Sequence, residues 1–485
     1  MSGLYIPDNI EIEGGRKLAT NATVSISGAK NEVLGAMAAA VLTDQAVELS
    51  NVPYISDVLD MGHILIELGA DVQYNPEEKL MRIHAREIAS NELSDRAAKF
   101  RASYYLWGAL LSRFSNTGEF KSLRIKNPGG CGLGGNRKTN YHFDMLRNIF
   151  RVEETLGNDM LELALPGSER NYKTEPIFAT DLMSHGATMH WLLSVATNPE
   201  FRVFYNASLE PEVPHLLQML NKMGANLRGT GTTAITNMGK KGLLSGGCFE
   251  IMPDRMEASS YILLAMLLRD KITVNGMNAA SCRPCLNSIA EIMKKAAPGQ
   301  WNSGLNNGSS ITFDFRNLRD FPGQKFVMSP FPGKETDLHQ IWAPLLATAS
   351  SESEIYDPVW AKRKDHLPEL AKFGIESSYK VYEESCYEDI EEQRRVANRT
   401  LQITIRPSNI KDTMDAVGMD LRGTFGLFAA AAKANRTSCI SNPGYALRGY
   451  PNLIGNLQGL GIPVFSSLTP GTVLAALPPI KQRGS

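Results

Sequence analysis

The chain has 485 residues, of which 43% are hydrophobic and 21% charged, a composition typical of a soluble globular protein. Its 50 basic and 51 acidic residues nearly cancel, which excludes a general affinity for nucleic acid or for a membrane surface. Any site for an anion must therefore be local.

The start of the chain carries acidic residues where a signal peptide needs a basic and then an apolar run. No apolar stretch reaches the roughly 18 residues of a membrane span. These features predict a cytoplasmic protein without a membrane partner. The length predicts two domains, each large enough to bury a substantial core.

A weak repeat follows the N-terminal segment and continues along the chain. Each copy predicts a short strand, a helix of small residues, a β-branched strand and a second helix that ends in glycine. The copies cover residues 23–72, 100–150 with an interruption, 178–227, 249–296, 333–377 and 417–464. Six such units predict an α/β protein of two domains, one formed by 30–250 and the other by 1–29 with 251–485.

Polar residues stand at the turn before the first helix of several copies, in "SGAKN", "SHGAT", "PDRME", "ETD" and "DLRGT". The amino end of a buried helix carries partial positive charge and readily binds an anion. Helix capping accounts for the serines and aspartates. It does not account for Lys30, Arg255 and Arg422, because cations at these ends oppose the helix dipole and need an anion.

The stretch "NPGGCGLGGNRKTNYHF", residues 127–143, surrounds Cys131 with glycines and places Arg137 and Lys138 after it. Positive potential would lower the pKa of the thiol, and the glycines would let the loop close over a ligand. Gly130 and Gly135 have the spacing of a Walker A loop, but Asn136 and Arg137 follow where that loop needs Lys and then Ser or Thr, so it is excluded. A dinucleotide-binding fingerprint is also absent. A simple turn with an inert cysteine remains open at this point.

The candidate site combines several cations with carboxylates. Converging arginines bind phosphate or carboxylate groups, and a carboxylate among them can act as a base toward a substrate hydroxyl. The members are Lys30, Arg101, Arg137, Arg255, Arg422 and Arg448 as cations, and Asp254, Glu257, Asp337 and Asp420 as carboxylates.

Metal and cofactor sites are not expected. Six cysteines are too few for a disulfide scaffold. Cys282 and Cys285 form a lone CxxC pair, which favours ordinary thiols over a zinc or redox site. No histidine pair has HExxH spacing, so we expect neither a metal nor a cofactor.

Seven motifs now stand in order: "SISGAKN", "FRAS", "NPGGCGLG", "PDRME", "ETD", "DLR" and "LRGY". In order and spacing the chain resembles the UDP-N-acetylglucosamine enolpyruvyl transferases, or 1-carboxyvinyltransferases, from about residue 10 to about residue 465. The resemblance implies a two-domain inside-out α/β barrel of six repeated units, with the active site between the domains.

The resemblance also implies roles. Lys30, Arg101, Arg137 and Arg448 would hold phosphoenolpyruvate, and Asp337 would be the base beside the acceptor hydroxyl. Cys131 would be the lid cysteine that adds to the donor and that fosfomycin alkylates. The implied acceptor-binding residues are Asn31, Arg137, His142, Ser184, Gly186 and Asp337, and the implied supporting residues are Asp420, Arg422 and Arg255.

The departures from the family pattern lie mostly on the acceptor side. "RKTNYH" stands where the family has R-P-V-D-L-H, and Leu182 replaces a lysine that meets the diphosphate. A charged insertion at 379–398 is expected to be a solvated surface elaboration. The expected substrates are phosphoenolpyruvate and a uridine nucleotide. UDP-N-acetylglucosamine is the first choice, with peptidoglycan precursor synthesis as the pathway. UMP, as in peptidyl-nucleoside antibiotic synthesis, is the alternative.

Two other hypotheses are weaker. The shikimate-phosphate branch of the fold lacks the lid cysteine, and "SGAKN" fits the nucleotide-sugar branch better. A scaffold protein with a decayed site would not need to retain the cations on the donor side.

Overall fold

A computed structural model describes residues 3–126, 140–157, 160–166, 175–297, 310–388, 395–466 and 471–480. Its helices are α1 Lys30–Ala39, α2 Ser56–Glu67, α3 Asp95–Lys99, α4 Tyr104–Thr117, α5 Asn140–Phe150, α6 His185–Val195, α7 Glu212–Lys222, α8 Arg255–Leu268, α9 Arg283–Ala296, α10 His339–Leu346, α11 His366–Lys372, α12 Leu421–Lys433, α13 Gly444–Leu447 and α14 Leu453–Gly459. Short 3-10 turns cover Ala40–Leu42, Arg101–Ser103 and Thr336–Leu338.

The strands are short and are spread along the whole chain. They are β1 Leu4–Ile6, β2 Asn9–Glu13, β3 Thr23–Ser25, β4 Val47–Ser50, β5 Asp71–Asn75, β6 Leu80–His84, β7 Ser122–Lys126, β8 Glu153–Gly157, β9 Met160–Ala164, β10 Ile177–Ala179, β11 Arg202–Tyr205, β12 Leu227–Arg228, β13 Ala234–Asn237, β14 Gly247–Glu250, β15 Lys271–Asn275, β16 Ser310–Asp314, β17 Lys325–Val327, β18 Ser353–Asp357, β19 Ser377–Glu388, β20 Arg395–Ile405, β21 Ala416–Val417, β22 Thr437–Ser441, β23 Val464–Ser466 and β24 Thr472–Leu474.

The chain divides into two compact units. Among the described residues, the first contains 3–4, Gly28–Met252 and 475–480, and the second contains Tyr5–Ser27 and Pro253–Leu474. Within the described residues, each unit has three sheets of three or four strands and three inner helices, and β1 and β24 form a further two-stranded sheet.

In the first unit the inner helices are α1, α4 and α6, which pack on one another in all three pairs. They are rich in apolar and small residues, and nearly every residue within them is buried, including the polar side chains of Glu32, Arg113 and His190. At Gly108 of α4 a β-carbon would lie 2.0 Å from Ser194 Oγ of α6, so only glycine permits this approach. The sheets have the orders β14-β4-β6-β5, β7-β9-β8 and β10-β11-β13-β12.

In the second unit α8, α10 and α12 form the equivalent inner set. Its main sheets have the orders β16-β15-β3, β17-β18-β20-β19 and β21-β22-β2-β23. Strand β3 pairs in parallel with β15, and β2 pairs antiparallel with β22 and β23. These backbone hydrogen bonds place the N-terminal segment in the second unit.

The C-terminal segment differs from the expected boundary. The prediction placed everything after residue 250 in the second domain, but residues 475–480 pack on the first unit. Leu477 is buried where Gly62 of α2 leaves room, and the Tyr74 amide donates to the Pro478 carbonyl at 2.8 Å. Burial of this leucine gives a local reason for the position, which no sequence pattern revealed.

The charged insertion forms a β-hairpin. Strands β19 and β20 pair antiparallel and extend a sheet of the second unit, with an irregularity between Ser385 and Glu388. Tyr379, Val381 and Tyr382 are exposed on β19. The described part of the insertion therefore consists of strands at the protein surface. Residues 389–394 lie outside the described residues. Among the described helices, none is long and apolar enough to cross a membrane.

Candidate active site

Helix α1 begins at Lys30 with its first turn uncapped by a side chain, because Ala29 occupies the cap position. The Lys30 ammonium lies 2.6 Å from the Asp57 carboxylate of α2, and both side chains are largely buried. Asn31 follows in the first turn and is half-buried. Asp57 therefore supplies at least part of the negative charge that a lysine at this helix end requires. Sequence reasoning missed this partner.

Arg101 stands just before α4 and is half-buried. Burial and the positive charge of Arg101 together lower the pKa of His142 to about 3. The His142 ring also stacks against Tyr104, with 4.4 Å between ring centroids. The structure thus brings together Arg101 and His142, a donor-side and an acceptor-side candidate.

The start of α6 holds the acceptor-side candidates Ser184 and Gly186. Ser184 caps the helix by accepting a hydrogen bond from the Ala187 amide at 3.3 Å. A β-carbon at Gly186 would meet no atom of the described residues within 4 Å, so packing against that part of the chain does not require this glycine. Among those residues, the space beside it is open to a ligand.

Between these two residues His185 joins a polar group that sequence reasoning missed. Its Nδ1 lies 3.2 Å from Glu210 Oε2, and Glu212 is the third member. The three ligand atoms lie within 4.8 Å of one another, and one imidazole with two carboxylates is a donor set that divalent transition metals accept. The members come from two helix starts and a loop, so no spacing motif marks them.

In the second unit Asp337 lies in a 3-10 turn before α10. Its carboxylate pairs with the guanidinium of Arg363, another residue that sequence reasoning missed. The side chain of Asp337 remains 34% exposed, whereas that of Arg363 is 10% exposed. The carboxylate is therefore accessible while its partner holds it in place.

Capping explains two other carboxylates. Asp254 accepts hydrogen bonds from the Met256 and Glu257 amides at the start of α8. Asp420 caps α12 in the same way and also accepts from Gln340 Nε2 at 2.7 Å. These two residues have a structural reason to be present.

The remaining carboxylate candidate is Glu257, which is fully buried. It accepts a hydrogen bond from the Ser27 amide at 2.9 Å. Its contact is therefore to the protein backbone rather than to an open space.

The cations of the second unit have different environments. Arg255 Nη1 lies 3.0 Å from Glu335 Oε1, and both side chains are buried. Arg422 is buried over the Tyr450 ring; burial opposes its charge, but Tyr450, Asp254 and Asp337 raise its pKa. Its Nη1 is buried without a hydrogen-bond partner within the described part of the chain.

The effect of Asp254 and Asp337 on Arg422 shows that the starts of α8, α10 and α12 come together in the second unit. Arg448 follows α13 in the same unit and is half-buried. Cys131 and Arg137 lie outside the described residues, so their predicted roles rest on sequence.

The sequence model of the EPSP synthase (3-phosphoshikimate 1-carboxyvinyltransferase) family matches residues 13–457. The chain belongs to this family. Its members transfer the carboxyvinyl group of phosphoenolpyruvate, and the chain is accordingly an enolpyruvyl transferase.

One curated relative matches over nearly the whole length. The enolpyruvyl transferase is 30% identical over 463 residues to UDP-N-acetylglucosamine 1-carboxyvinyltransferase 2 of Lactococcus lactis subsp. lactis (strain IL1403). The alignment covers 94% of this chain and 98% of that protein.

Two solved structures share the fold. The enolpyruvyl transferase NikO from Streptomyces tendae has a TM-score of 0.76 at 20% identity, and the match covers 95% of this chain and 99% of that one. EPSP synthase from Acinetobacter baumannii has a TM-score of 0.61 at 14% identity, with 94% and 99% covered. The predicted enolpyruvyl transferase fold is confirmed.

The CxxC pair of the enolpyruvyl transferase is buried. Burial raises the pKa of Cys282 to about 12 and raises that of Cys285 well above its usual value. Thiols in this state are poor nucleophiles and poor metal ligands, because the thiolate is the reactive form. The interpretation as ordinary thiols agrees with this environment.

Buried histidines predict loss of stability in acid. Burial lowers the pKa of His142, His190, His339 and His366, so the unfolded chain binds protons more readily near its ordinary pKa of about 6.5. The neutral histidines contribute fully to the free energy of unfolding above about pH 6.5. As the pH falls from there toward the pKa of the folded state, the contribution of each histidine decreases by about 1.4 kcal/mol per pH unit.

Urea unfolding between pH 7 and pH 5 measures this effect. A His339→Asn variant should show a pH slope of the unfolding free energy lower by about 1.4 kcal/mol per unit. A slope equal to that of the parent would contradict the prediction.

Proposed function

We propose that the chain transfers the enolpyruvyl group of phosphoenolpyruvate to a hydroxyl of a uridine nucleotide, with release of phosphate. UDP-N-acetylglucosamine is the first-choice acceptor. The observation that carries this choice is the 30% identity to a UDP-N-acetylglucosamine 1-carboxyvinyltransferase over 98% of that protein. In this proposal the product enters peptidoglycan precursor synthesis, and both substrates are small molecules.

Donor binding is assigned to Lys30, Arg101, Arg137 and Arg448. The start of α1 supports this assignment, because the positive end of the helix dipole and the Lys30 ammonium lie at the same place. Cations fixed before the reaction stabilise the charge of a phosphate-bearing tetrahedral intermediate without reorganising.

The base in the proposed reaction is Asp337. Its carboxylate would accept the proton of the acceptor hydroxyl as the oxygen bonds to C2 of phosphoenolpyruvate, the C2=C3 π bond breaks and C3 takes up a proton. Loss of a C3 proton together with phosphate from the tetrahedral intermediate then forms the double bond of the enol ether product. The exposure of Asp337 and its pairing with Arg363 support the role, because an accessible base must also be held in position.

Acceptor binding is assigned to Asn31, Arg137, His142, Ser184 and Gly186 together with Asp337. The open space at Gly186 supports a ligand beside the start of α6. The remaining supporting residues are Arg255, Asp420 and Arg422, which hold the helix starts of the second unit in place.

UMP is the second candidate acceptor, with transfer to its 3'-hydroxyl as in peptidyl-nucleoside antibiotic synthesis. It is favoured by the charges around the start of α6, where Asp181, Glu210 and Glu212 accompany the half-exposed Leu182. A diphosphate beside these carboxylates would meet repulsion, whereas an acceptor with fewer phosphates would meet less.

Phosphate release from phosphoenolpyruvate tests the proposal. UDP-N-acetylglucosamine, UMP and shikimate 3-phosphate are offered separately, and the product is identified by mass. Release with UDP-N-acetylglucosamine supports the first choice, and release with UMP alone moves the assignment to the second. Absence of release with all three acceptors would contradict the proposed function.

The lid cysteine gives a separate prediction. A Cys131→Asp variant should keep measurable phosphate release and become insensitive to fosfomycin, because a carboxylate replaces the alkylated thiolate. Cys248→Asp is a matched control, since that thiol is exposed on a strand of the first unit. Time-dependent inactivation by fosfomycin distinguishes the two. Continued inactivation of Cys131→Asp would show that another residue is the target.

A further inference from the structure

Two histidines of the first unit form a buried pair. His142 in the first turn of α5 and His190 in α6 are 5% and 0% exposed, and their Nδ1 atoms lie 2.8 Å apart. The repeat and the family pattern draw attention to His142 alone. His190 lies in the second turn of the buried helix α6, where a polar side chain is costly unless it is hydrogen-bonded.

Only one proton can lie between the two Nδ1 atoms. Burial lowers the pKa of both rings, so each is neutral and carries a single N–H. One ring must donate from Nδ1, and the other must accept at Nδ1 and carry its own proton on Nε2. The direction of this hydrogen bond therefore determines both tautomers.

The surroundings of His190 Nε2 decide the direction. This atom is buried and has no hydrogen-bond partner within the described residues. It faces α4 at Gly108, where an added β-carbon would lie 2.8 Å away. A buried N–H without a partner is disfavoured more strongly than an unpaired acceptor. The proton of His190 is thus assigned to Nδ1, from which it donates to His142.

We propose that His190 is a positioning residue that holds His142 as a neutral donor, with its proton on Nε2, toward the acceptor nucleotide. This inference rests on the proposed function, in which His142 contacts the acceptor. A neutral N–H donor suits a hydroxyl or carbonyl oxygen of the nucleotide. The tautomer, and not only the residue type, then sets what His142 recognises.

Two variants separate the hydrogen bond from packing. His190→Asn keeps an N–H close to the original Nδ1 position, whereas His190→Leu keeps volume and removes the donor. We expect the KM for the acceptor to rise roughly tenfold in His190→Leu and to stay within about threefold in His190→Asn. The kcat and the KM for phosphoenolpyruvate should stay within about twofold in both.

Nitrogen-15 NMR of the full-length protein labelled on histidine reads the tautomer without turnover. The signals of His142 are those lost in His142→Gln. We expect a protonated Nε2 and an unprotonated Nδ1 in the parent and in His190→Asn, and a changed Nδ1 signal in His190→Leu. A proton on Nδ1 of His142 in the parent would overturn the inference.

The kinetic measurements test whether His190 affects binding of the acceptor. Equal rises in acceptor KM for both variants, or an equal rise in KM for phosphoenolpyruvate, would show a purely structural role and overturn the proposal. If phosphate is released with none of the acceptors, the proposed function fails, and NMR still decides the tautomer. Thermal unfolding checks that each variant is folded. If His190→Leu is not folded, the spectra of the parent and of His190→Asn decide the tautomer of His142.

Discussion

An Asp337→Asn variant is expected to lose about 10²- to 10⁴-fold in turnover while it still binds phosphoenolpyruvate. The amide keeps the shape of the side chain and a hydrogen-bond acceptor for Arg363, but it cannot take the proton of the acceptor hydroxyl. Phosphate release gives kcat, and calorimetric titration with phosphoenolpyruvate gives the binding constant.

The matched control is Asp415→Asn in the same unit, whose side chain is 74% exposed and lies 4.0 Å from the Lys372 ammonium. It should keep the turnover of the parent. An Asp337→Asn variant with parental kcat would remove this residue from the role of base. Loss of phosphoenolpyruvate binding would instead assign it to the donor.

The second large effect concerns the buried pair of Arg255 and Glu335. Replacing Arg255 with Met is expected to lower the free energy of unfolding by about 3–5 kcal/mol, because it leaves a buried carboxylate without its partner. Adding Glu335→Gln should recover part of this loss, since the double variant buries no unpaired charge. Urea unfolding measures both.

A surface pair provides the control. Arg124 pairs with Glu92 at 2.9 Å, but both side chains are nearly half exposed, so Arg124→Met should cost at most about 1 kcal/mol. A similar small cost for Arg255→Met would show that the buried pair contributes no more than a surface one. An additive double variant would show that the two side chains are not coupled.

Much of the architecture follows from local sequence. Helices α1, α4 and α6 are rich in apolar and small residues, and such helices are stable when they are buried on most sides. The aspartates of "PDRME" and "DLRGT" predicted helix starts, and Asp254 and Asp420 cap α8 and α12. The ordered motifs predicted the family.

Partners distant in the chain were not predictable from these patterns. Lys30 and Arg255 stand at helix starts that disfavour a cation, and the fold supplies Asp57 and Glu335 as their anionic partners. Glu335 lies 80 residues from Arg255, and no periodicity connects them. The same holds for Arg363, which pairs with Asp337.

By itself the sequence determined the six helix-bearing repeats, the enolpyruvyl transferase family and the residue types of the candidate site. These depend on side-chain size, polarity and helix capping, which act between neighbours along the chain. Tertiary structure alone decided which charges are paired and which nitrogen of His142 faces His190. Such choices depend on burial and on distances of about 3 Å between distant residues, because a neutral imidazole donates or accepts according to what lies beside it.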